Sequence, residues 1–119
     1  NRLEKIPPPS AFHGLIAIFS LVLRNNLLNS TNGLFDNETN KCFSDLFKLN
    51  LSQNNISTLF EFQFSSLKSL QNLNLSANFI RVIEQNAFFG LNALNSLYLQ
   101  QNRVENLSSV TFFHLYQLK

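Results

Sequence analysis

Apolar and polar residues alternate in short bursts along this chain, and the bursts return at a fixed interval. From Leu46 the residues read L-F-K-L-N-L-S-Q-N-N-I-S-T-L, from Leu70 L-Q-N-L-N-L-S-A-N-F-I-R-V-I, and from Leu94 L-N-S-L-Y-L-Q-Q-N-R-V-E-N-L. Each phrase is followed by a ten-residue tail holding one Phe and one Leu in register, and Leu118 opens a fourth copy. The repeat length is 24 residues, and every apolar landmark keeps it. A periodicity of this kind predicts a stacked repeat architecture rather than a globular core.

Around Leu49 and Leu51 the apolar residues alternate with Lys48, Asn50 and Ser52, the period of a short strand with one buried face. One unit cannot cover its own apolar side, so neighbouring units are expected to stack and to pair their strands in a parallel sheet. Ile56, Leu59 and Leu67, with their equivalents, complete the interior. Phe12, Phe64, Phe88 and Phe112 recur at one position and should form an aromatic spine under the convex side. Asn26, Asn54, Asn78 and Asn102 fall where the chain leaves the strand. There an amide can donate and accept at once, satisfying backbone groups that the turn would strand.

These residues resemble the leucine-rich repeat family, and within it the 24-residue class with an Asn ladder and a Phe spine. The resemblance implies an α/β solenoid: a horseshoe with a short-stranded parallel β-sheet on the concave face and a mostly irregular or 3-10 convex side. That class occurs in extracellular proteins, and the chain is most similar to Toll-like receptor ectodomains. Ligand recognition in innate immunity is therefore the expected role, with cell adhesion or guidance of the Slit or chaoptin kind as the alternative. A receptor dimer partner would fit the first role.

Residues 1–17 read as the tail of a repeat, since A-F-H-G-L at 11–15 matches A-F-F-G-L at 87–91. Pro7, Pro8 and Pro9 predict a rigid extended connection rather than a helix. Residues 18–45 form an irregular unit of 28 residues, followed by regular units at 46–69, 70–93 and 94–117 and the start of another at 118–119. Within Asn29 to Phe43, Leu34 or Phe35 is expected to turn inward and Phe43 to take the slot of Leu67 and Leu91. The rest of that polar stretch, with Gly33, predicts a bulging loop. No polar cap is recognisable at either end, so the segment is expected to belong to a longer ectodomain, with any membrane attachment outside it.

Chemistry narrows the field further. Net charge is +2 and charged residues make up 13% of the chain, which makes no case for a nucleic-acid surface. Cys42 is the sole cysteine, and His13 and His114 stand far apart, so neither a metal site nor a cofactor is expected. Asp36, Glu38 and Asp45 crowd one loop, while Glu61, Glu84 and Glu105 sit at outward turns, where a solvated charge is the ordinary outcome. Nothing converges as an acid–base pair or a nucleophile would require, and the chain does not read as an enzyme. Asn29, Asn37, Asn50, Asn55, Asn74 and Asn106 each open an Asn-x-Ser/Thr triplet, which points to a secretory protein in an extracellular or luminal setting. Asn29 and Asn37 are the best-placed acceptors.

Binding remains. Arg24, Lys48, Asn50, Asn72, Asn74, Tyr98 and Gln100 occupy outward strand positions and would face the concave space. An amide-rich, nearly uncharged surface suits a protein or glycan partner. A glycan on Asn50 or Asn74 would stand over that face, and the Toll-like resemblance implies binding on a lateral face. Partner contacts are therefore expected to concentrate on Asn29–Lys41 and the adjoining edge, with Tyr98 and Gln100 secondary. Phe79, Phe89 and Phe113 lie just outside the interior positions and should pack between adjacent repeats.

Overall fold

A computed structural model of the chain describes residues 2–12, 14–15, 17–32, 35 and 41–119. Four strands, β1 (Ser20–Val22), β2 (Lys48–Asn50), β4 (Asn72–Asn74) and β6 (Ser96–Tyr98), form one parallel sheet in the order β1-β2-β4-β6. Leu49 points inward at 1% exposure while Lys48 and Asn50 point outward, so the period-two pattern sets the face of each strand. Register follows the repeat: Ser20 pairs with Lys48, Lys48 with Asn72 and Asn72 with Ser96. The first of those steps crosses the irregular unit, yet the sheet continues through it in register. The four additional residues of that unit are thus accommodated away from the sheet.

A second parallel ladder, not anticipated from the periodicity, joins β3 (Thr58–Leu59) to β5 (Val82–Ile83) and reaches Asn106 through one bridge from Val82. It runs along the side where the chain ascends from the ladder asparagines. The convex side is built from turns and two short 3-10 segments, Pro9–Phe12 and Lys41–Phe43. Among the described residues there is no α-helix.

Pro7–Pro9 departs from the expectation of a purely extended connection. Pro9 opens the first 3-10 segment, and Ala11 N–H donates to Pro8 O at 2.8 Å. Proline is compatible with a first helical turn, because an N–H there would lack an internal partner anyway.

The interior is one continuous apolar cluster from Leu23 to Leu115. Ile56, Leu59 and Leu67 are fully buried, as are Phe64 and, in the irregular unit, Phe35 and Phe43. Ring contacts run Phe12–Phe43 at 5.1 Å, Phe43–Phe35 at 5.4 Å and Phe35–Phe64 at 6.1 Å, with Phe88 stacked on Phe112 at 5.8 Å. Phe35 therefore joins Phe43 as a buried ring of the irregular unit and links it to Phe64; Leu34 lies outside the described residues. Phe43 O accepts from Leu46 N–H as Leu67 O does from Leu70 and Leu91 O from Leu94. Phe43 thus makes the same turn bond as those leucines. Burial falls toward both ends, where Ile6, Phe12, Leu97 and Phe112 are only partly covered.

Candidate functional site

Each ladder asparagine spans two repeats. Asn54 Oδ1 accepts from Leu28 N–H at 3.1 Å, while its Nδ2 donates to Leu51 O at 3.0 Å and to Leu23 O of the preceding unit at 2.9 Å. Asn78 repeats this with Ile56 N–H, Leu75 O and Leu51 O. Asn102 does so with Ile80 N–H, Leu99 O and Leu75 O, and Asn26 with Leu3 N–H and Leu23 O. The residue just before each, Asn25, Gln53, Ala77 or Gln101, has φ between 53° and 58°. That left-handed step turns the chain out of the strand and is costly for a residue with a Cβ. The periodic pattern of residue types carried no sign of it, since none of the four is glycine.

The strand exits carry a second, smaller lock. Asn50 Oδ1 accepts from Ser52 N–H at 3.0 Å and from Ser52 Oγ at 2.7 Å, and Asn74 does the same with Ser76 at 3.0 and 2.7 Å. Both amide oxygens are therefore occupied, while neither Nδ2 meets an acceptor among the described residues.

Across the sheet the outward residues stand in rows. One row is Ser20, Lys48, Asn72 and Ser96, and the next is Val22, Asn50, Asn74 and Tyr98. Between them, over the first three strands, lies a depression of about 200 Å³ bordered by Val22, Lys48, Asn50, Asn72 and Asn74. Four of the concave candidates thus share one hollow. Arg24 stands beyond it with Nε donating to Gln53 Oε1 at 3.0 Å; Tyr98 and Gln100 are exposed on or beside the last strand. Phe19 and Val22 are also open, at 66% and 65%, and Lys48 Nζ lies 5.9 Å from the Phe47 ring centre.

Elsewhere the surface is tied down more than the sequence suggested. Glu84 Oε2 accepts from Glu61 N–H at 2.7 Å, and Glu61 Oε1 accepts from Asn86 Nδ2 at 3.0 Å, so these carboxylates link neighbouring turns. Glu105 keeps a long, exposed contact of 3.9 Å to Arg81. Phe89 lies edge-on to Phe62 at 5.4 Å and to His114 at 5.2 Å, and Phe79 faces the Arg103 guanidinium at 5.0 Å. Phe113 stands 69% exposed.

In the irregular unit, Thr31 is buried and donates to Gln63 Oε1 at 2.9 Å, and Phe35 O accepts from Ser66 N–H and Oγ. Asn29 is exposed there, as are Asn55 and Asn106 in later units, whereas Asn50 and Asn74 are half-buried. Gly33, Asp36, Asn37, Glu38 and His13 lie outside the described residues. Among the described residues, no three His, Cys, Asp or Glu gather as metal ligands would.

A family model described as leucine rich repeat matches residues 68–119. The stacked parallel strands, the cross-repeat asparagines and that match decide the class. The fold is a leucine-rich repeat solenoid. Its solenoid superposes on TLR13, solved in complex with ssRNA13, with a TM-score of 0.76 and 30% identity over 99% of this chain and 19% of that one. It also matches Drosophila Toll from the Toll–Spatzle complex, with a TM-score of 0.68 and 26% identity over 91% of this chain and 14% of that one. An internalin of Listeria monocytogenes shares the fold at a TM-score of 0.57 and 21% identity, over 82% of this chain and 26% of its own. The leucine-rich repeat segment thus resembles Toll-like ectodomains, and it spans about a fifth or less of the two Toll-like chains. No curated protein sequence matches it. No helix among the described residues is long and apolar enough to cross a membrane.

Proposed function

We propose that this segment is part of an extracellular receptor of the Toll-like kind and binds a protein partner on its concave sheet. The observation that carries the reading is the hollow between the two outward rows, flanked by exposed Phe19, Val22 and Tyr98. Exposed aromatic side chains beside a largely apolar hollow rimmed by amides are what a protein interface requires: anchors that lose water readily and amides that fix orientation. Two cations, Arg24 and Lys48, are too few to hold a phosphodiester backbone, which relies on neutralising several phosphates. TLR13 was solved with RNA and Toll with the protein Spatzle, and the surface here sides with the second kind of ligand. The same surface supports binding, since its groups can orient a partner. The Asn-x-Ser/Thr triplets at exposed Asn29, Asn55 and Asn106 support a glycosylated, extracellular chain.

The test is site-directed photo-crosslinking on cells displaying the whole receptor. A crosslinking residue at position 100, beside the last strand, should capture a partner, and one at convex position 68 should not. Capture from position 68 alone would refute the concave assignment.

A further inference from the structure

Two of the three asparagines that border the hollow have a chemical polarity that their composition hides. An asparagine normally offers a donor and an acceptor, so a row of them should be indifferent to what it meets. Here Asn50 and Asn74 have their oxygens consumed by Ser52 and Ser76, at 2.7 Å to each hydroxyl. What is left to point at a ligand is Nδ2, a donor, from each. Lys48, on the border of the same hollow, is also a donor only. The segments 19–25, 47–53, 71–77 and 95–101 contain no Asp or Glu at all, although they include Arg24 and Lys48. Every described carboxylate, from Glu4 and Asp45 to Glu61, Glu84 and Glu105, lies outside them.

We infer that the concave hollow takes the carboxylate of an aspartate or glutamate side chain from the partner protein. The inference deepens the concave reading above and rests on it. Asn50 and Asn74 are paired across adjacent strands, whose spacing of about 5 Å lets one carboxylate reach both amides with its two oxygens. Lys48 supplies the countercharge, and a charge-assisted bond to a carboxylate is stronger than one between neutral groups. Val22 and Leu21 give an apolar wall for the methylene stem. At about 200 Å³ the hollow is smaller than sites that enclose a whole small molecule, typically ~300–1,000 Å³, and suits one side chain.

Asn74→Asp isolates the claim. The carboxylate keeps accepting from Ser76, so the turn survives, but the outward donor becomes a second, charged acceptor. The probe is a fluorescein-labelled glutamate decapeptide, followed by anisotropy against a glutamine decapeptide and an oligouridylate of equal length. The glutamate peptide should bind in a salt-dependent way and at least tenfold more tightly than the other two. Asn74→Asp should weaken it at least tenfold and Lys48→Gln severalfold, both with an unchanged unfolding transition. Equal binding of the glutamine peptide, preference for the oligouridylate, or indifference to Asn74→Asp would each overturn the inference. So would a glycan mapped to Asn50 or Asn74, since it would consume the donor and fill the hollow. If position 100 captures a protein whose affinity ignores Asn74→Asp and Lys48→Gln, the carboxylate claim falls and the concave surface stands. Failure of capture there, with capture at position 68, brings down both.

Discussion

Replacing Asn78 by alanine should destabilise the fold, and the structure shows which backbone group is responsible. The Asn78 side chain touches three carbonyls and one amide: Leu51 O at 3.0 Å, Leu75 O at 3.0 Å, Ser76 O at 3.3 Å and Ile56 N–H at 3.1 Å. After truncation Leu51 O still accepts from Asn54 Nδ2, Leu75 O from Asn102 Nδ2 and Ser76 O from Gln53 N–H. Ile56 N–H has no second acceptor, and Ile56 is fully buried. The expected cost is therefore that of one buried, unsatisfied donor, about 1–3 kcal/mol. Asn72→Ala is the control: half-buried, with no side-chain hydrogen bond, it should move stability by less than about 0.5 kcal/mol. Urea titrations followed by circular dichroism would compare the two, with equal slopes as the condition for reading midpoints as stabilities. Asn78→Asp adds a second constraint. Its carboxylate would accept from Ile56 N–H but face the three carbonyls from a buried position, so its folded-state pKa would rise above the unfolded value of about 3.9. The penalty should vanish below the unfolded pKa and grow as pH rises toward the folded one. Equal costs at positions 72 and 78, or an Asn78→Asp variant no less stable at pH 7 than at pH 3 relative to the parent, would refute the ladder account.

Gln101 is exposed with φ 58°, so Gln101→Gly should stabilise by about 0.5–1 kcal/mol in the same titration. Gly90→Ala should do the reverse, by about 1–3 kcal/mol, because φ is 89° and a Cβ would lie 2.9 Å from Ser65 O. Thr31→Val strips buried Gln63 of its hydroxyl partner and should cost about 1–3 kcal/mol, whereas Thr31→Val with Gln63→Met should recover most of it, since Gln63 Nε2 already lacks a partner; a double-mutant cycle reads the coupling. Peptide mapping of secreted material should find sugar at exposed Asn29, Asn55 and Asn106, and bare Asn50 and Asn74.

The repeat period alone determined the solenoid. Residues spaced by 24 can share one environment only if successive units stack, and the Leu alternation around Leu49 then assigns the buried face of each strand. The ladder positions were legible for the same reason, since Asn54, Asn78 and Asn102 repeat where a turn leaves backbone groups to satisfy. Tertiary structure decided what the period does not encode. Residues 29–43 break the repeat, so nothing local distinguishes Leu34 from Phe35; contact with Phe64 and Phe43 placed the Phe35 ring inside. The ladder through Thr58, Val82 and Asn106 depends on how closely neighbouring units approach on their ascending side, a distance no single unit sets. The polarity of two amides on the concave hollow was hidden too. Asn50 and Asn74 look bifunctional in a sequence, and only the bent strand exit brings Ser52 and Ser76 onto their oxygens, leaving donors facing outward.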